Sequence, residues 1–141
     1  MNLPTLTSTP SIEQVRAVVE VVVLIAYADG NLAPAEEEII TARVAEISSR
    51  TPDAAWVKQT IGEVRPPLPP EADWRSARLV ALSELLGSDE LRQTAFAVAL
   101  EVAHVDGGIG LREVSLLAAT AQELGLDAQM ALHFLDQAEK H

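Results

Sequence analysis

Apolar residues recur three or four positions apart through most of the chain, which is the spacing of one face of an α-helix. No segment alternates apolar and polar residues for long enough to predict a strand. Glycine, proline and small polar residues divide the chain into helical segments at about 11–28, 34–48, 51–64, 72–86, 88–105, 111–124 and 127–141. The pattern therefore predicts an all-α fold, a single compact bundle of about seven helices.

The first predicted helix differs from the others because it is apolar on nearly every side from Val18 onward. A helix without a polar face must be surrounded by other elements, so we expect it at the centre of the bundle. Ser11 and Gln14 have the spacing of a capping box at its start. Gly30 and Pro34 mark the turn into the second helix.

An internal repeat with an offset of 77 residues organises the chain, whose 141 residues suit one domain. We expect a flexible start at 1–10 and a single domain at 11–141, with a stiff proline-rich connector at 65–70. The halves, at about 11–64 and 88–141, each run helix, Asp-Gly turn, helix, helix, which implies a pseudo-two-fold bundle. The matched pairs include Asp29 with Asp106, Gly30 with Gly107, Glu36 with Glu113, Ile40 with Leu117, Val44 with Ala121, and Ile47 with Leu124.

The charge balance narrows the classes of partner. A net charge of −11 repels nucleic acid and anionic membranes, and it favours cations or basic proteins. The absence of cysteine excludes disulfides, thiolate metal sites and cysteine nucleophiles. The longest apolar run, at 21–28, is too short to span a membrane, and the N-terminus lacks the features of a signal peptide. We expect a cytoplasmic protein that binds no nucleic acid and does not insert into membranes.

Each half of the repeat carries the pattern Asp-Gly-x-(Leu/Ile)-x-x-x-Glu, from Asp29 to Glu36 and from Asp106 to Glu113. This is the spacing of the second half of an EF-hand loop, which binds Ca²⁺. The two earlier acidic ligands are missing, because those positions hold Ile25 and Tyr27 in one copy and Val102 and His104 in the other. One copy alone supplies about four oxygens, so waters or a neighbouring helix must complete the six to eight that calcium takes.

Two features favour a bound divalent cation, Ca²⁺ or Mg²⁺, over a plain turn. Asp29 and Asp106 each end a helix, where the helix dipole disfavours negative charge by roughly 0.3–1 kcal/mol. Glu36 and Glu113 lie on the apolar stripes of their helices, and an inward carboxylate needs a partner or a metal. Glu37 points elsewhere, as an acid of the first helical turn.

A reading without metal explains the same residues. Aspartate in a helix–turn–helix corner often caps the following helix, and a glutamate at the helix start binds free backbone amides. Arg43 projects close to the direction of Glu36 and offers it an ion pair, whereas Thr120 occupies the matching position in the second half. The second corner is therefore the better metal candidate. Without metal, the protein is a helical interaction module.

No catalytic set is visible in the sequence, so we expect no enzyme. Glu101 and His104 have the Glu-x-x-His spacing of di-iron bundles, but the matching stretch at 24–27 carries no second pair. An incidental position explains His104 better. No Ser-His-Asp set, phosphate-binding glycine loop or HExxH motif can be assembled.

The doubled ADG…E and VDG…E pattern resembles the TerB-like family of tellurite-resistance proteins over about 11–138, and it is similar to the TerB-like regions of DnaJ-like co-chaperones. The resemblance implies an all-helical cytoplasmic protein with a divalent-cation site. It also implies a role in tellurite and membrane stress, in complex with a membrane protein of the resistance system. The ligand roles fall on Asp29, Glu36, Asp106 and Glu113, with Glu37 as a substitute. The first loop, NLAPA, holds fewer acids than the family pattern, which again favours the second corner.

Overall fold

The computed structural model describes residues 9–26, 32–48, 54–64, 72–104, 111–127, 129 and 133, and no strand occurs among them. These residues form a compact bundle of α1 (Ile12–Ala26), α2 (Pro34–Ile47), α3 (Ala54–Val64), α4 (Ala72–Leu86), α5 (Asp89–His104) and α6 (Leu111–Glu123). The prediction of an all-α fold is confirmed, and each of these helices matches a predicted span to within a few residues. The connector and, apart from 129 and 133, the body of the seventh predicted helix lie outside the described residues.

Helix α1 lies at the centre of the bundle, as predicted, and it contacts α2, α3, α4 and α5. Every residue from Ala17 to Ile25 is buried. Its most extensive contact is with α5, which is buried without interruption from Thr94 to Leu100. Each large apolar side chain buried in this pair contributes about 1.5–3 kcal/mol relative to exposure, so α1 and α5 form the main core.

Local capping chemistry sets the helix ends where the sequence predicted them. At the start of α1, the Ser11 N–H donates to Gln14 Oε1 at 2.8 Å, and the Gln14 N–H donates to Ser11 Oγ at 3.2 Å. Gln14 Nε2 also donates to the Leu86 carbonyl at 3.0 Å, which ties the start of α1 to the end of α4. The predicted capping box is therefore present, and it also holds two helices together.

Helix α6 ends in a Schellman motif at Gly125, whose φ is 74°. The Gly125 N–H donates to the Gln122 carbonyl at 3.0 Å, and the Leu126 N–H donates to the Ala121 carbonyl at 2.9 Å. This conformation favours glycine because it brings a Cβ close to the following carbonyl. Gly125 thus ends the helix as predicted.

Candidate functional site

The first predicted corner is described from Leu32 onward, where the chain enters α2. Pro34 occupies the first helical position, and Ala33 before it is extended. Glu36 is 8% exposed, and its Oε1 accepts the Ala33 N–H at 2.8 Å. This bond is one half of a capping box; alanine has no side-chain oxygen to complete the other half. The predicted inward position of Glu36 is confirmed, and the structure shows a capping role for it.

The other predicted ligands are only partly described. Asp29 and Asp106 lie outside the described residues, and so does the side chain of Glu113, although its position in the first turn of α6 is described. Glu37 is half-buried and faces the space between α2 and α3. Among the side chains that the structure describes, no three histidine, aspartate or glutamate residues form a group able to hold a metal ion. Cation binding by the four repeated carboxylates stays a prediction.

Arg43, the residue that the sequence offers as a partner for Glu36, binds Glu101 on α5. Its Nε and Nη2 donate to the two oxygens of Glu101 at 2.7 and 2.6 Å, and its Nη1 donates to Glu46 at 2.7 Å. The side chains of Arg43 and Glu101 are each about one quarter exposed, at 25% and 24%. The hydrogen bond to Glu101 is the main cause that raises the pKa of Arg43. Both oxygens of Glu101 thus have an arginine partner, which accounts for this glutamate without a di-iron site.

A second ion pair between helices was not anticipated from the sequence. Glu20 is 6% exposed among the valines of α1, and it accepts two hydrogen bonds from Arg78 on α4. Arg78 Nη2 lies 2.7 Å from Glu20 Oε1, and Arg78 Nε donates to the other oxygen. This bonding raises the pKa of Arg78. A lone acid inside the run VVEVVVLIA was the available signal, but nothing local identifies its partner on another helix.

The helices that follow the two corners bury matching positions. Ile40 and Val44 of α2 are each 1% exposed, and their counterparts Leu117 and Ala121 are 0% and 2% exposed. Thr120, which stands where α2 has Arg43, is fully buried. The apolar stripe of the repeat therefore faces the core in both helices, whereas the polar position differs in chemistry.

Hydrogen bonds to α4 hold α6 in place. Ser76 Oγ donates to Glu123 Oε1 at 2.5 Å, and Ser83 Oγ donates to the Leu124 carbonyl at 3.1 Å. Both bonds lie toward the C-terminal end of α6. Side chains of α4 thus hold the C-terminal end of α6.

Comparisons with family models, with curated proteins and with solved structures give no match to this chain. In the part of the chain that the structure describes, no helix has both the length and the apolar composition needed to cross a bilayer.

Proposed function

We propose that this chain is a TerB-like, non-enzymatic stress-response protein of the cytoplasm that binds Ca²⁺ or Mg²⁺ and acts as an adaptor for other proteins. The seven-helix, pseudo-two-fold arrangement belongs to this proposal, and so does a membrane-embedded partner from a tellurite-resistance system. The proposed ligands are Asp29 and Glu36 at the first corner and Asp106 and Glu113 at the second, with Glu37 as a substitute.

The observation that carries the cation proposal is the burial of Glu36 at the corner. Glu36 therefore faces inward at the position where the repeated pattern predicts a ligand, and calcium and magnesium prefer carboxylate oxygens. The bond from the Ala33 N–H fixes the orientation of this carboxylate. Since a carboxylate offers about four lone-pair sites, capping and cation binding are compatible roles for Glu36.

The packing of the helices around the corners also supports the proposal. Helices α1 and α5, which lead into the first and second corners, form the central pair, and α2 contacts both of them. Helix α6, which follows the second corner, contacts α5 and α4. Helices that flank the two corners therefore pack against each other. A structural change at one corner can pass through these contacts to the surface of the bundle.

A second candidate is a metal-free interaction module, and one observation favours it. Glu36 caps α2 through Ala33, so its place in the sequence has an explanation without an ion. The ion pair of Arg43 with Glu101 shows that charged residues near this corner also serve to join helices. This candidate shares the adaptor role and differs only in the cation.

Titration with calcium or magnesium chloride, after treatment with EDTA, tests the cation. We expect the melting temperature of the full chain to rise with ion concentration, because a ligand at about 100 times its Kd adds roughly 2.7 kcal/mol. Asp106→Asn with Glu113→Gln should remove most of that rise. Asp73→Asn with Glu84→Gln removes the same charge from exposed positions of α4 and should leave the rise intact. If both double variants lose the ion-dependent rise in melting temperature equally, the metal-free module is favoured.

The same titration of Glu36→Gln distinguishes a cation-binding role of Glu36 from a capping role. Glutamine still accepts the Ala33 N–H but carries no charge. With EDTA present, Glu36→Gln should be more stable than Glu36→Ala by about 1 kcal/mol, the usual contribution of a helix cap. A weaker ion response in Glu36→Gln indicates a ligand at the first corner. An unchanged response leaves Glu36 as a cap alone.

A further inference from the structure

A groove of about 420 Å³ lies between α2 and α3. Val57 and Ile61, which are 1% and 2% exposed, form its floor. Ala42 on α2 and Ala54 on α3 line it and are exposed, and their short side chains leave it open to solvent. Its volume falls within the range of about 300–1,000 Å³ that is usual for ligand sites. The groove can therefore receive large apolar side chains from outside.

The groove offers few hydrogen-bonding groups to an occupant. Thr41 lines it, but Thr41 Oγ1 already donates its proton to the Glu37 carbonyl within α2 at 2.9 Å. Apart from Thr41 and three charged residues, the lining is apolar, with proline, alanine, valine and isoleucine side chains. An occupant of this surface must therefore bring an apolar face rather than a row of hydrogen-bonding groups.

The charges at the edge of the groove favour a basic occupant. Glu37 and Glu38 lie on the α2 side, and neither forms an ion pair with another described residue. Lys58, on the α3 side, is the countercharge among the lining residues. The whole chain carries −11, so the field around the groove also attracts cationic partners.

We propose that this groove binds an amphipathic helix of a partner protein, with apolar residues on one face and lysine or arginine along the edge that meets Glu37 and Glu38. A helix fits because its apolar residues, spaced three and four apart, can enter a groove formed by two other helices. The inference rests on the adaptor part of the proposed function and does not require the cation.

The test uses a labelled synthetic peptide of about 14 residues, roughly four helical turns, with leucines on one face and lysines on the others. Its binding to the full chain is followed by fluorescence anisotropy at about 0.15 M salt, where screening limits non-specific attraction. A peptide with glutamates in place of the lysines is measured in parallel. Ala42→Arg obstructs the groove, and Ala81→Arg places the same side chain at an exposed position of α4 as the matched control.

We expect Ala42→Arg to weaken binding of the lysine peptide by about tenfold or more, and Ala81→Arg to change it by less than about twofold. Glu37→Gln with Glu38→Gln should weaken binding severalfold more than Asp73→Asn with Glu84→Gln, which removes the same charge elsewhere. No binding, equal losses in each matched pair, or equal binding of the glutamate peptide would overturn the proposal. A dimer of the chain that Ala42→Arg dissociates would also overturn it, since a second copy would then fill the groove.

Measuring the binding of the lysine peptide in EDTA and in calcium tests the groove independently of the cation site. Groove binding should be the same in both, because no proposed ligand except the substitute Glu37 lines the groove. A calcium response without peptide binding contradicts the groove alone, and peptide binding without a calcium response contradicts the cation alone.

Discussion

The two central helices of the bundle each carry one glutamate bound by an arginine from a neighbouring helix. Glu20 of α1 is bound by Arg78 of α4, and Glu101 of α5 is bound by Arg43 of α2. Both arginines donate two hydrogen bonds to their carboxylate. The pairs differ in burial, because the Glu20 side chain is 8% exposed and the Glu101 side chain is 24% exposed.

Because the two pairs have the same hydrogen bonding and differ in the burial of the glutamate, comparing them shows how much burial of the carboxylate affects stability. Taking a carboxylate from water into an apolar site costs several kcal/mol, and an arginine partner with two hydrogen bonds offsets that cost. Arg78 is 40% exposed, so its guanidinium reaches from the surface inward to a carboxylate that has little access to water. The exposure of the glutamate should therefore rank the cost of removing its arginine.

The largest loss of stability should come from Arg78→Met, which keeps an unbranched apolar stem and removes the charge. We expect a loss of about 2–3 kcal/mol in the free energy of unfolding, because Glu20 is left buried without its partner. Urea denaturation measures the loss. Glu20→Leu with Arg78→Met removes both charges and should recover most of it. A loss in Arg78→Met below about 0.5 kcal/mol, the usual size for exposed pairs, would contradict the ranking.

A smaller effect is expected for Arg43→Met, about 1–1.5 kcal/mol, because water reaches Glu101 and can replace part of the lost bonding. Pairing raises the pKa of Arg43, so its contribution does not change between neutral pH and the ordinary arginine pKa and is lost only as the pH rises above that value. Urea denaturation at pH 7 and pH 9 should therefore give the same loss. A loss as large as that of Arg78→Met would show that carboxylate burial does not set the order.

The helices could be predicted because their determinants are local. The Ser11–Gln14 box, Pro34 and Gly125 each act within one helical turn, and the apolar run of α1 identifies the helix that lies at the centre. Helix periodicity also placed Glu36 on the buried face of α2, where it is found. These features need no knowledge of how the helices pack.

The arginine partners of Glu20 and Glu101 could not be predicted, because each pair joins residues 58 positions apart. Periodicity gives the face of a helix on which a residue lies, but not the helix that packs against that face. The direction of Arg43 is compatible with Glu36 on its own helix, and the contact with Glu101 depends on the packing of α2 against α5. The choice between cap and ligand at Glu36 likewise depends on residues outside its own helix.

The smallest effect should come from Arg16→Met, which applies the same substitution to a pair at the surface. Arg16 Nη1 lies 2.8 Å from Glu63 Oε1, and the two side chains are 44% and 45% exposed. Solvent screens this attraction and hydrates Glu63 once the arginine is gone, so we expect a loss below about 0.5 kcal/mol by urea denaturation. Raising the salt to about 1 M should reduce even this loss, whereas the loss in Arg78→Met should change little. A loss in Arg16→Met above that in Arg43→Met would mean that the arginines act through the packing of their stems and not through their carboxylates.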